Sequence, residues 1–449
     1  MREYIDKHFD EIVDDLRQLV KFNSEYSEDE KPFGLENRKV LDKSLSLMEE
    51  KGIKTTNLDY YCGYGEVGEG EKVIGIVSHL DIVPAGEGWD SDPFELTIKA
   101  DSLFGRGTSD DKGATVAAMW AVKYLLDTGY KFKKRVRLIN GCNEETGSAC
   151  VRHYVEKCGD VDMGFTPDGD FPGIYAEKGM IGGYLVGHNS KIIDIKGGDG
   201  PNIVAKKCTA TLPAKSFDLD KLDDFFTEKG IKYELKNNVS SVDLTVYGKA
   251  AHASTPDFGI NAISYLMAGL KYCGFEDSYV DFYMKNFGLT THGEILGYEE
   301  LKDSESNTSI NMGVIYKEGN DIKCTLDMRF PVKQNSETCL QPLLAIKDED
   351  NEFILRGKGV EPLYFDISSP FIQALDKAYR TVTGDTEHQM EAIGGGTYAK
   401  AMKNIIAFGC ELPGEQNNIH DANEHVEIES LKTQIMCYIE AIKNLNEVE

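Results

Sequence analysis

Val73-Ile74-Gly75-Ile76-Val77-Ser78-His79-Leu80-Asp81 and Gly105-Arg106-Gly107-Thr108-Ser109-Asp110-Asp111-Lys112-Gly113 are the two stretches around which the chain is organised. The first is a short β-branched run that gives way to polar and Pro/Gly residues. It reads as a buried parallel strand whose C-terminal end delivers His79 and Asp81. Open α/β sheets take their ligands at that end of a strand. The second stretch opens a helical pattern near Asp111, which sets Asp110 at a helix N-terminus. An imidazole and carboxylates converging beside a helix start suggest a metal site.

Composition bounds the rest. At 449 residues and 41% hydrophobic, the chain can bury a large core and should hold more than one domain. Met1 to Asp15 is charged throughout, unlike a secretory leader, and no segment approaches the ~20 apolar residues of a membrane span. A soluble, cytoplasmic protein is expected. The cysteines at 62, 142, 150, 158, 208, 273, 324, 339, 410 and 437 are scattered and form no Cys-x-x-Cys pair, so buried reduced thiols are expected rather than disulfides or a thiolate zinc site. A net charge of −27 repels nucleic acid and anionic membranes.

Along the chain, apolar residues at Ile5, Phe9, Ile12, Leu16 and Leu19 predict a helix over 2–21, and Val40, Leu41, Leu45 and Met48 another over 35–51 that Gly52 stops. Small residues from Gly113 to Leu126 suit close helix–sheet packing. Strands are predicted at 136–140, ending in Asn143-Glu144-Glu145, and at 161–166, ending in Pro167-Asp168, with a helix over 146–156 between them. This alternation implies parallel pairing and a doubly wound α/β layer. After Glu177 the texture changes: glycines cluster, and strands such as Ser241–Tyr247 and Lys323–Arg329 alternate apolar and polar residues. Alternation signals an antiparallel sheet with one wet face, backed by helices such as 260–272. The first texture returns near Ser368. The expected architecture is α/β: a doubly wound, mostly parallel catalytic domain (1–176 and 367–449) interrupted by an α+β lid domain (177–366).

His79, Asp110, Glu145, Asp168 and His420 each fall just beyond a strand or in a polar turn, the first four expected at successive strand C-termini of one sheet. Two imidazoles and three carboxylates match the needs of two borderline metal ions, if one carboxylate bridges and a hydroxide is shared. Gathering such carboxylates without cations would cost many kcal/mol or force their protonation.

These residues resemble a known signature. His79-Leu80-Asp81, Gly105 to Gly113 and Glu144-Glu145 are similar to the motifs of the dinuclear metallopeptidase family that includes carboxypeptidase G, aminoacylase and dipeptidases. Thr166-Pro167-Asp168, Gly394-Gly395-Gly396-Thr397-Tyr398 and Ile419-His420 look most like its peptidase V branch, which is related to carnosinases. The similarity covers nearly the whole chain. It implies that Asp110 bridges two metals, that His79 and Asp168 complete one site, and that Glu145 and His420 complete the other.

Chemistry assigns the neighbours. Glu144 diverges from ligand Glu145 and becomes the general base that later protonates the leaving amine. Asp81 is expected to accept a hydrogen bond from the second nitrogen of His79, fixing its tautomer. The resemblance gives His252, in Ala251-His252-Ala253-Ser254, the role of oxyanion donor. Arg329 is expected to clamp a dipeptide's free carboxylate, a lid-stabilising ion pair with Asp327 or another acid being the alternative. Gly394-Gly395-Gly396-Thr397 offers bare N–H groups to a substrate carboxylate, and Asn261 resembles a family position near the substrate. The enlarged lid implies hinge closure and a monomer.

The function expected is a metal-dependent dipeptidase that cleaves short L-peptides with a free C-terminal carboxylate, using a hydroxide shared by two zinc ions, with manganese and cobalt as alternatives. Its partner is a small peptide, without nucleic acid or membrane. The competing readings are an N-acyl-amino-acid deacylase or desuccinylase and a non-catalytic peptide-binding protein; an intact Glu144 argues against the latter.

Overall fold

The structure, a computed structural model, describes residues 1–449. The chain divides into two compact units, the first Met1–Ala176, Phe365–Glu391 and Gly396–Glu449, the second Glu177–Tyr364 and Ala392–Gly395.

The first unit is α/β. Its sheet places Val73–His79 between Arg135–Gly141 and Met163–Thr166, parallel to both, with Ile405–Ala407 parallel to the latter. Cys62–Val67 and Lys54–Leu58 extend one side as antiparallel strands, so the sheet is mixed around a parallel centre. Every residue of Val73–His79 is buried, which explains its unbroken apolar run. Gly75 and Gly164 are opposite one another, and a Cβ on Gly164 would lie 1.9 Å from the Gly75 carbonyl oxygen. Only glycine lets these two strands come so close. Helices Lys112–Asp127 and Ile428–Glu447 pack on Val73–His79, while Leu35–Glu50 packs on Cys62–Val67 and Arg135–Gly141.

Two local expectations change. The helix over the first twenty or so residues is interrupted at His8, whose φ of −104° and ψ of 11° leave helical geometry, giving Arg2–Lys7 and Phe9–Val20. The His8 ring packs there against Tyr4 and Trp120. The helix expected from Thr146 starts at Ala149, because Asn143 Oδ1 accepts the Ala149 N–H at 2.9 Å and ties 143–149 into a closed turn. All ten cysteines are free, and all but Cys158 are buried.

The second unit is built on an eight-stranded antiparallel sheet. Its central strands run Ser241–Tyr247, Lys207–Pro213, Asp194–Gly197, Ser309–Glu318, Asp321–Phe330 and Gly179–Gly187. Lys207–Pro213 and Ser241–Tyr247 bury alternate residues, as their sequence pattern predicts. Leu212, Leu244 and Val246 from that face join Phe226, Leu266 and Leu270 of the covering helices in one core. The acidic Asp348-Glu349-Asp350 is a turn: Asp348 Oδ1 accepts the N–H groups of Asp350 and Asn351 at 3.0 and 2.9 Å. No helix is long and apolar enough to cross a membrane.

Candidate active site

The first unit brings His79, Asp110, Glu144, Glu145, Asp168 and His420 together. His79 ends its strand fully buried, its backbone N–H donating to Asp111 Oδ2 at 3.0 Å. Its ring Nδ1 lies 3.0 Å from the Asp81 carbonyl oxygen, an atom that can only accept, so Nδ1 carries the proton. The other nitrogen, Nε2, then faces Asp110 Oδ1 at 2.8 Å. Asp110 presents its second oxygen, Oδ2, to Nε2 of His420, also at 2.8 Å. One buried carboxylate thus serves an imidazole on each side.

Around this axis, Asp168 Oδ2 lies 4.0 Å from His79 Nε2, and Glu145 Oε1 lies 3.3 Å from His420 Nε2. Glu145 Oε1 is buried without a hydrogen bond. Ligand atoms of His79, Glu144 and Asp168 fall within 4.8 Å of one another, as do those of His79, Asp110 and Glu145. These are two overlapping sets of nitrogen and oxygen donors. A buried carboxylate oxygen with only an imidazole at 3.3 Å beside it, and ligand atoms gathered within 4.8 Å of one another, fit a pair of divalent cations.

Electrostatics agree. Burial alone would raise the Asp110 carboxyl, but His79 and His420 hold it well below the usual carboxylate range. Burial, then the Asp168 charge, pushes the Glu144 carboxyl up. The His420 imidazole is pushed up to about 10, first by Asp110 and then by Glu145. Opposed shifts among adjacent groups mark functional sites.

Two expectations are corrected here. Asp110 stands just ahead of helix Lys112–Asp127, whose N-cap is Asp111, as the helical pattern opening near Asp111 implies, and not at a strand end of the main sheet. Gly113 permits that tight entry, since a Cβ there would lie 2.0 Å from the Thr108 carbonyl oxygen. The Asp81 carboxylate does not take the His79 ring N–H: it accepts the backbone N–H groups of Glu144 and Glu145, each at 3.0 Å, and stays 3.6 Å from Nδ1. It fixes the Glu144-Glu145 turn, while its carbonyl fixes the imidazole. His420 is held by unusual backbone, with φ of +66° in the left-handed region.

Three buried neighbours escaped the sequence reading. The Lys112 ammonium donates to the Phe22 carbonyl at 2.9 Å. Tyr398, within the glycine-containing motif, sets its ring edge-on to His79 at 5.8 Å and shares a 2.9 Å hydrogen bond with Cys150. Glu424, fully buried, receives backbone N–H groups of the Asp110 loop. Its one sequence signal is its place just after His420.

His252, Arg329, Asn261 and Gly395 belong to the second unit, Gly396 and Thr397 to the first. His252 Nδ1 shares a 2.7 Å hydrogen bond with Ser254 Oγ, and burial, then Arg329, lowers the imidazole. The Arg329 guanidinium grips Asp327 through Nε at 2.6 Å and Nη2 at 3.0 Å, and Nη1 reaches the Gly394 carbonyl at 3.0 Å. This is the ion-pair alternative raised for Arg329. Asn261 caps helix Ala262–Tyr272: its Oδ1 accepts from Ile263 and Ser264, and its amide donates to the Met312 carbonyl at 2.9 Å. These hydrogen bonds commit its polar atoms to the fold. Thr397 caps the short turn Tyr398–Ala401.

Comparison with known proteins places this geometry. The chain is 32% identical over 465 residues to a Staphylococcus haemolyticus (strain JCSC1435) protein and 33% over 471 residues to one of Staphylococcus aureus (strain USA300). Both are described as "putative dipeptidase", and 99% of each chain is covered. Human carnosine dipeptidase 1 shares the fold, with a TM-score of 0.61 at 16% identity over 99% of this chain and 98% of that one. So does a Bacillus subtilis dinuclear metal binding peptidase, with a TM-score of 0.53 at 13% identity over 98% of each. Residues 75–444 match peptidase family M20/M25/M40, and the chain belongs to that family.

Proposed function

We propose that the protein is a dipeptidase that hydrolyses short L-peptides with a free C-terminal carboxylate, with two divalent ions as cofactors and Glu144 as general base. The observation that carries this reading is one buried carboxylate, Asp110, with an imidazole nitrogen 2.8 Å from each of its oxygens. His79, Asp110 and Asp168 would hold one ion, and Asp110, Glu145 and His420 the other. When bound, such a pair polarises the scissile carbonyl and lowers the pKa of water enough for attack at neutral pH. Zinc is the ion we favour, with manganese and cobalt also compatible with mixed nitrogen and oxygen donors.

The protein's own groups do the rest. The Glu144 carboxylate takes a proton from the attacking water. As the carbon–nitrogen bond breaks, Glu144 returns that proton to the leaving amine, so it ends each turnover as it began. Asp81, holding the N–H groups of Glu144 and Glu145, fixes the backbone that carries base and ligand. With Nδ1–H given to the Asp81 carbonyl, Nε2 is the nitrogen that would face a metal ion once its own proton is released. His252 is proposed as a donor to the developing oxyanion, Arg329 and the Gly395-Gly396-Thr397 backbone as substrate contacts, and residues 177–366 as a lid on a catalytic domain of 1–176 and 367–449. The protein is proposed to work as a cytoplasmic monomer.

The test is hydrolysis of a panel of dipeptides, a tripeptide and two N-acylated amino acids by metal-stripped protein reconstituted with zinc or manganese. Turnover of dipeptides alone, restored by metal, is expected. Turnover of the acylated amino acids instead would make the protein a deacylase, and metal binding without turnover of anything would leave a binding protein.

A further inference from the structure

Glu424 is fully buried, and its carboxylate spends both oxygens on the loop that ends at Asp110. Oε1 accepts the backbone N–H groups of Ser109 at 2.9 Å and Asp110 at 3.1 Å. Oε2 accepts that of Gly107 at 3.0 Å and a charged hydrogen bond from Arg106 Nη1 at 2.6 Å. Arg106 is itself 1% exposed, its Nη2 lying 3.3 Å from the carbonyls of Pro84 and Ala85. The stitching runs both ways: the Gly105 N–H donates to the Glu424 carbonyl at 3.1 Å, and Ser109 Oγ donates to the His425 carbonyl at 2.8 Å.

A buried carboxylate paired with an arginine has no need of three backbone donors, and gathering them fixes the loop that carries them. Those donors are the N–H of Asp110 and of residues just before it. Glu424 also lies in the segment that carries His420. The two parts of the chain whose side chains meet at 2.8 Å, Asp110 and His420, are thus held by one anchor. Groups that must share a ligand between two centres tolerate displacements of only about 0.5 Å.

We infer that Glu424 is a positioning residue for the shared carboxylate of Asp110 and, through it, sets the affinity of the site for its metal ions. The inference rests on the dinuclear reading proposed above. Glu424→Gln keeps the shape but turns one acceptor oxygen into a donor, which then faces the Gly107 N–H or Arg106.

The experiment titrates metal-stripped protein with zinc and with manganese against a chelating indicator. It is run on the unaltered chain, on Glu424→Gln and on Asp15→Asn, with the fold of each checked by circular dichroism. Asp15 is a buried carboxylate of the same unit that serves Lys51 at 2.6 Å and Trp120 at 2.7 Å, so its loss reports the effect of reduced stability alone. Glu424→Gln is expected to bind metal about 10- to 100-fold more weakly, with Asp15→Asn unchanged. Equal affinity in Glu424→Gln and the unaltered chain, or an equal loss in both variants, would overturn the inference. Failure of the unaltered chain to bind either metal would instead overturn the dinuclear reading itself. If Glu424→Gln does not fold, Arg106→Lys, which can reach Glu424 but not the Pro84 and Ala85 carbonyls, decides by the same readings.

Discussion

The carboxylates of the first unit and the polar anchors of the second are treated in opposite ways. Around Asp110 the fold crowds acids together and leaves Glu145 Oε1 buried without a hydrogen bond. In the second unit Arg329 spends Nε and Nη2 on Asp327, and Asn261 divides its amide between a helix N-terminus and the Met312 carbonyl. Both sets are polar and largely removed from water. One is complete as it stands, and the other gathers four carboxylates, Asp110, Glu144, Glu145 and Asp168, around only two imidazoles. A residue's chemical type does not separate these cases; the atoms left over after folding do.

That contrast can be broken at its strongest point by removing metal. Stripping with a chelator, or Asp110→Asn, is expected to reduce peptide hydrolysis to background, with bound metal falling in parallel in the variant. Metal-independent turnover by stripped protein would dissolve the distinction between the units. Next, Glu144→Gln should lower kcat by about 100- to 10,000-fold, a general base's usual share, while metal content measured by elemental analysis stays the same. A parallel loss of metal would make Glu144 a ligand, a role its closeness to His79 and Asp168 makes worth testing.

The second unit yields smaller effects that sharpen the comparison. Arg329→Ala strands Asp327 in a largely buried position and should cost about 3–5 kcal/mol in denaturant unfolding of the altered protein. Asp327→Ala discriminates the two uses of the arginine: a pure ion pair predicts lost stability with an unchanged KM, whereas a substrate clamp predicts a shifted KM as well. Asn261→Ala should cost only about 1 kcal/mol, the worth of a helix cap, with KM for dipeptides unaltered. A KM rising tenfold with stability unchanged would return Asn261 to the substrate.

The sequence revealed side chains better than it revealed what they touch. His79 and Asp168 were legible because an apolar run stops and a polar group follows, a pattern that the parallel sheet converts directly into position. The pairing of Asp327 with Arg329 was legible as an alternative, since residues two apart on a strand share a face. Of the two placements that the sequence offers for Asp110, the helix start holds and the end of a main-sheet strand does not, because the short strands Thr97–Lys99 and Ser102–Phe104 before it pair with each other outside the main sheet. Asp81 was misread because its partners are backbone N–H groups, which carry no signature of residue type. Glu424 was missed for the same reason, compounded by distance: its partners come from a loop formed some three hundred residues earlier.

The order of the segments also sets a timetable. His79, Asp110, Glu145 and Asp168 leave the ribosome before the whole second unit, whereas His420 and Glu424 follow it. At roughly 5–20 residues per second, the interval between Asp168 and His420 is on the order of ten to fifty seconds. Through that interval only one of the two imidazoles that flank Asp110 has been made, and neither Glu424 nor the strand Ile405–Ala407 that pairs with Met163–Thr166 yet exists. A divalent ion can meet all five proposed ligands only after the whole second unit and the segment that carries His420 have been made.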